Sequence, residues 1–203
     1  MARNTKVDAE KTRQLILDAA LDTFFEKGYS RSPLTDISTR VGLTKGALYW
    51  HFMSKVDLFS ALVKDIQKEV DIKINLPFKE SENMEDLRKT TLQFASTLLE
   101  DKKIFKYYSI LYTKMEWQDE LEPVMNFFSE QDAHLRRRIT DIMIKEQALG
   151  NVHSRHSPES IAISWLAMIG GFLFRILKQK DTDQDVLTSL NNSVELIVNA
   201  LKS

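Results

Sequence analysis

Pro33-Leu34-Thr35-Asp36-Ile37-Ser38-Thr39-Arg40-Val41-Gly42-Leu43-Thr44-Lys45-Gly46-Ala47-Leu48-Tyr49-Trp50-His51-Phe52 is the stretch that decides the fold. Leu34, Ile37 and Val41 recur at helical spacing and give its first half one buried stripe. Ser32 is the expected N-cap, with Pro33 at the first helical position, where its missing N–H costs nothing. Gly42-Leu43-Thr44 reads as a three-residue turn in which Gly42 ends one helix and Thr44 caps the next. The second helix, Lys45 to about Phe52, is two turns long and has Leu48 and Phe52 as its one anchoring face. Two short helices joined by a Gly-containing turn describe a helix–turn–helix. Thr44, Lys45, Gly46 and Ala47 are small or basic, a shape suited to pressing a helix N-terminus against a phosphate and entering a major groove. Tyr49, Trp50 and His51 are too polar-tipped and too clustered for a short buried helix. The residues leave one other reading open, a small helical bundle whose exposed face happens to be small.

Outward from this stretch the apolar period is helical nearly everywhere, which predicts an all-α chain of about nine helices. The first helix runs from about Asp8 to Lys27, with Ile16, Ala20 and Phe24 on one face and Gly28 as its stop. Ser54-Lys55-Val56-Asp57 resembles a capping box opening a fourth helix, in which Leu58, Leu62, Ile66 and Val70 repeat every four residues. Leu76-Pro77-Phe78-Lys79-Glu80-Ser81 is the clear interior break. Beyond it, helices are expected at about Met84 to Asp101, Lys103 to Lys114, Pro123 to Ala148, Pro158 to Lys180 and Gln184 to Leu201.

The 203 residues carry 28 Lys+Arg, 29 Asp+Glu and no Cys, a total that excludes disulfides, thiolate metal sites and Cys nucleophiles. No continuous apolar run approaches a membrane span and the N-terminus lacks a signal-peptide pattern, so a soluble cytoplasmic protein with no membrane partner is expected. The net charge of −1 seems to argue against nucleic acid, but it hides a split. Residues 1–55 hold nine Lys/Arg against six Asp/Glu, and the remainder nineteen against twenty-three. Arg3, Lys6, Lys11, Arg13, Arg31, Arg40, Lys45 and Lys55 make a basic head on an acidic body, as phosphate contacts need local charge only.

Residues 33–52 resemble the helix–turn–helix of TetR-type transcriptional repressors. Ser54-Lys55-Val56-Asp57-Leu58 matches that family's fourth-helix opening, and Arg13, Ile16, Ala19, Ala20, Phe24 and Gly28 match its first helix. Leu111-Tyr112-Thr113-Lys114-Met115-Glu116-Trp117 is similar to a segment of the multidrug-efflux, AcrR-like branch. The resemblance implies a DNA-binding head over residues 1–53 and a ligand-binding and dimerisation domain over 54–203. It implies a homodimer that sits on a near-palindromic double-stranded operator and is released by a small-molecule effector. Thr44, Tyr49 and Lys55 would contact phosphates, Lys45, Gly46, Ala47 and Trp50 would lie closest to base edges, and His51 is open between phosphate contact and packing. Many members have Ser or Thr at the position of Pro33, so Ser32 or Thr35 would have to supply that hydroxyl. A helical carrier or interaction module that no longer reads DNA is the alternative.

Seven of the chain's 19 aromatics fall between Ile104 and Phe128. Tyr108, Tyr112, Met115, Glu116, Trp117, Phe127 and Phe128 would offer a lipophilic cation a soft wall, π faces and one carboxylate. Aromatics at helical spacing are also what fills a core, and the resemblance favours pocket lining, with Leu62, Ile66, Phe94, His134 and Phe172 joining the set. Trp165, Gly170, Gly171 and Phe174, with Leu190, Val194 and Ile197 on the last helix, are the expected four-helix dimer interface. Burial within one subunit is the other reading for these. His153 and His156 lack a third ligand, so no metal is expected; no cofactor motif and no catalytic constellation stands out.

Overall fold

The computed structural model describes residues 2–116, 118–178 and 183–202, with side chains described for 7–116, 118–178 and 185–202. Helix α1 spans Ala2–Lys27, α2 Leu34–Val41, α3 Lys45–His51 and α4 Lys55–Val70. A π-turn, Asp71–Asn75, leads without interruption into α5, Leu76–Glu80. Then come α6 Met84–Glu100, α7 Lys102–Ser109 with a π-turn at Ile110–Lys114, a 3₁₀ turn at Asp119–Leu121, α8 Glu122–Ala148, α9 Pro158–Lys178 and α10 Asp183–Leu201. Counting the continuous run from Lys55 to Glu80 once gives nine helical segments among the described residues, and these include no strand.

Three expectations need correction. The break at Leu76–Ser81 is not a break at its start: α5 is helical through Glu80, and the chain leaves the helix only at Ser81. Pro77 is tolerated because the preceding π-turn has already replaced i−4 bonding, Leu76 N donating to Asp71 O. The cap position of α2 is occupied by Pro33 in extended conformation, with no side-chain cap; Ser32 does not fill it. And α9 is long and apolar enough to cross a membrane by length and composition, although 39% of its most apolar window is buried inside the protein. Ser160, Ser164 and the adjacent glycines interrupt the apolar run to the eye without lowering its average enough.

Packing divides the chain into two units, residues 1–68 with 106–124, and residues 69–105 with 125–203. The first is therefore discontinuous and larger than the head read from the sequence. Its core is built on α1, where Ile16, Leu17, Ala20 and Phe24 are wholly buried. The rings of Phe24, Tyr29 and Phe59 meet at centroid distances of 5.1–5.7 Å, an aromatic knot beneath the helix–turn–helix. In the second unit Trp165 of α9 is wholly buried and its Nε1 donates to Thr91 Oγ1 of α6 at 3.0 Å. Lys73 and Lys103 bind Asp101 and Glu69 there at 2.6 and 2.7 Å.

Candidate functional site

The α2–turn–α3 unit closes as its sequence dictates. Gly42 takes φ 75°, and the N–H groups of Gly42 and Leu43 donate to Thr39 O and Ser38 O at 3.1 and 2.8 Å, the paired bonds of a Schellman end. Thr44 is extended, and its Oγ1 accepts from Ala47 N at 3.2 Å, capping α3. Leu48 and Phe52 are buried and fix the helix from beneath. Arg13 of α1 lays its guanidinium 5.3 Å from the centre of the Phe52 ring, bracing the C-terminal end.

What this leaves facing outward is the set the sequence singled out. Thr44, Lys45, Gly46, Tyr49 and Trp50 are exposed, Trp50 at 73% of its surface, and Ala47 is half-buried beside them. No cost in buried apolar area accounts for a tryptophan in that position, so it is free to meet a partner. Lys45 Nζ rests 5.6 Å from the Tyr49 ring centre. His51 is half-buried, edge-on to Trp50 at 4.7 Å, and burial, then the Arg13 charge, hold its imidazole below the usual histidine range. Met53, two residues beyond the end of α3, is 83% exposed and was missed by the sequence reading, because a thioether carries no DNA-contact signal.

Two members stand differently from expectation. Ser32 is fully buried, and its hydroxyl donates to Gly28 O at 2.6 Å, so its surface contact with a phosphate is not available; Thr35, exposed, is. Lys55 is half-buried: its Nζ donates to Ser30 O at 3.3 Å and lies 4.3 Å from the Tyr29 ring centre, and burial lowers its pKa. Arg3 and Lys6 have side chains outside the described residues. Of the remaining head cations, Arg40 is paired with Glu26 and Asp22, Lys27 with Asp36 and Arg13 with Glu10, so these three are engaged within the chain while the basic excess of the head remains.

The predicted ligand-lining residues divide between the two units. In the first, Leu62 and Ile66 are core residues with almost no exposed surface, Tyr108 and Met115 are half-buried, and Tyr112 and Glu116 are exposed. Tyr108 stacks obliquely on Tyr112 at 6.1 Å, while Tyr107 is buried and its hydroxyl donates to Gln67 Oε1 at 3.2 Å. In the second unit Phe94 is buried, Phe127, Phe128 and Phe172 are half-buried, and His134 is exposed. Trp117 lies outside the described residues. A cavity of about 530 Å³ in the second unit is lined by Asn83, Met84, Glu85, Glu146, Gly150, Asn151, Val198 and Lys202, none of them in the predicted set.

The dimer set also divides. Trp165, Leu190 and Val194 are buried within their own subunit and belong to its core, which corrects their assignment. Gly171 is exposed, Gly170 and Ile197 are half-buried, and among the described residues nothing beyond the adjoining backbone of α9 comes within 4 Å of where a Cβ would stand on either glycine. The close neighbour inferred from the Gly pair is thus not supplied by the chain itself. Ile163, Ala167, Gly171 and Phe174 form an exposed stripe at i, i+4, i+8 and i+11 on α9, and Leu196 of α10 is 71% exposed. The sequence missed Ile163 and Leu196 because helical period alone does not say which of two apolar faces turns inward.

Comparison with known proteins places these features. The profile of a family described as bacterial regulatory proteins, tetR family, matches residues 16–62. The HTH-type transcriptional repressor BepR of Brucella suis biovar 1 is 29% identical over 174 residues, 84% of this chain and 83% of that protein. The HTH-type transcriptional regulator TtgR of Pseudomonas putida is 29% identical over 186 residues, 90% and 88% of the two chains. The fold is that of NalD, the secondary repressor of the MexAB-OprM multidrug efflux pump in Pseudomonas aeruginosa. The TM-score is 0.77 at 24% identity, covering 96% of this chain and 98% of that one.

Proposed function

We propose, from the premise that this chain is a TetR-type transcriptional regulator, that it binds a near-palindromic operator as a dimer and leaves it when a small molecule occupies its larger domain. The observation that carries the reading is α3 itself: a helix capped by Thr44, anchored by Leu48, and presenting Lys45, Tyr49 and Trp50 outward where no core needs them. A helix N-terminus of that shape fits phosphate and groove together. Residues 1–53 act as the DNA-reading head, and residues 54–203 bind effector and partner subunit. Thr35, Thr44, Tyr49 and Lys55 hold phosphates; Lys45 is the group placed to donate to guanine, and Gly46, Ala47 and Trp50 lie against the base edges.

The gene controlled encodes drug efflux or detoxification, a reading supported by the likeness to NalD, a repressor of a multidrug efflux pump. The effector is lipophilic and cationic or aromatic, drawn to Tyr108, Tyr112, Met115 and Glu116. Release is a population shift: the effector binds the conformation whose head spacing no longer matches successive grooves, and it can shift the balance only by its differential affinity for the two states. The protein acts in the cytoplasm and has no catalytic role. The test is a gel shift on DNA flanking its own gene across a salt series, repeated with dyes, quaternary ammonium compounds, bile salts and planar phenolics. Salt-sensitive retardation relieved by one of these classes supports the reading; no retardation at low salt rejects it.

A further inference from the structure

Asp22 and Glu26 lie one turn apart on α1 and together hold Arg40, in the last turn of α2. Glu26 accepts from Nη1 and Nη2 at 2.8 Å each, and Asp22 accepts from Nη2 at 3.3 Å. Asp22 has a second cation. Its Oδ1 accepts from Lys106 Nζ of α7 at 2.6 Å. One carboxylate thus joins a helix of the helix–turn–helix to a segment that lies 84 residues beyond Asp22 in sequence. The two bonds are unequal, the lysine being nearer by 0.7 Å, so Asp22 leans toward α7 and Arg40 depends chiefly on Glu26.

The surroundings make the sharing consequential. Side chains of Asp22, Arg40 and Lys106 are 35, 38 and 32% exposed, so each pair is weak and exchangeable, unlike a buried brace. A separate tie, Lys27 to Asp36 at 2.6 Å, holds α1 to α2 without involving α7. The segment after Lys106 passes through the π-turn Ile110–Lys114, and Lys114 Nζ donates to Phe25 O on the same helix α1. The π-turn therefore follows one attachment to α1 and ends on another.

We propose that Asp22 is a positioning residue of the DNA-reading head: because it is shared by Lys106 and Arg40, the location of the Lys106 segment sets how firmly α2 is held on α1. Withdrawal of Lys106 hands the whole carboxylate to Arg40 and redirects the guanidinium between Asp22 and Glu26. The reading rests on the repressor function proposed above.

A double-mutant cycle on DNA affinity tests it. In the wild-type background Lys106→Met should change the Kd for the DNA flanking the gene by about threefold or more, and in an Asp22→Asn background it should have no effect. Asp22→Glu, which keeps the shared charge, should restore the response to Lys106→Met. Loss of a cation alone would act in both backgrounds, and a merely structural role would lower the melting temperature without coupling in Kd. Additive effects of the two substitutions on DNA affinity, with wild-type binding intact, overturn this proposal alone. Absence of DNA binding by the wild-type protein overturns the repressor reading and this inference with it.

Discussion

At Thr44 a single hydroxyl closes the N-terminus of α3, accepting from Ala47 N at 3.2 Å, and its loss should be felt twice. Thr44→Ala should destabilise the protein by about 1 kcal/mol through the lost cap, while Thr44→Ser should keep both the stability and the DNA affinity. Thermal melts and gel shifts on the two variants separate capping from phosphate contact. Lys55→Ala should reduce the slope of log K against log salt by about one unit if its ammonium leaves Ser30 O for a phosphate on binding; an unchanged slope means it stays where it is. His51 has its imidazole pKa held below the ordinary histidine value by burial and the Arg13 charge, so at neutral pH it is uncharged. The depressed value means that the folded protein binds fewer protons than the unfolded chain between the folded and ordinary values. Its contribution to stability is present above the ordinary value and is lost as pH falls through that window. Phosphate nearby would favour the imidazolium. Operator affinity should therefore rise as pH falls below the ordinary histidine value of about 6.5, and the rise should be missing in His51→Gln when fluorescence anisotropy is measured at constant ionic strength. The identities of Thr44, Lys45 and Trp50 as outward residues were legible from their poor fit to a two-turn core helix. The burial of Ser32 was not, because its partners, Gly28 O and Thr23 O, belong to the preceding helix end and only folding brings them together.

At the scale of an element, the two left-handed glycines of the head differ in a way the sequence could not grade. Gly42 at φ 75° has no described atom other than those of its chain neighbours within 4 Å of where a Cβ would stand, so Gly42→Ala should cost only the backbone term, about 1–2 kcal/mol. Gly28 at φ 84° faces Lys114 O, 3.3 Å from the same position, so Gly28→Ala must strain the backbone and also push on the segment carrying the π-turn. Denaturant unfolding should rank Gly28→Ala as the more damaging of the two, and equal losses would mean that the Lys114 contact yields freely. The capping box at the start of α4 was nearly legible: Asp57 N donates to Ser54 Oγ at 3.0 Å, but the Asp57 carboxylate accepts from Met53 N instead of Ser54 N. Neither π-turn was legible. An extra residue in a helix leaves the apolar period almost unchanged over five residues, and Pro77 therefore reads as a break one turn too early.

For the whole molecule, the exposed stripe Ile163, Ala167, Gly171 and Phe174, with Leu196, is where a second copy would pack. Phe174→Glu combined with Leu196→Glu should give a monomer of unchanged helical circular dichroism by sedimentation, with lower DNA affinity because two heads no longer bind together. Trp165→Ala should behave differently: its ring is buried inside the subunit and its Nε1 is bonded to Thr91, so a stability loss of about 3–5 kcal/mol is expected. By itself the sequence determined the all-α class, the helix–turn–helix, the outward face of α3 and most helix boundaries, but not the start of α1, expected at Asp8 and found at Ala2, nor the unbroken run from Lys55 to Glu80. These follow from periodicity, capping and the conformations open to Gly and Pro, all of which act within a few residues. Only the tertiary structure decided that Trp165, Leu190 and Val194 are core while Ile163 and Leu196 are surface, that Leu62, Ile66 and Phe94 are filled in, and that residues 106–124 join the head's unit. Which apolar face turns inward, and which cation shares Asp22, depend on residues far apart in the chain, and a local pattern carries no information about its distant neighbours.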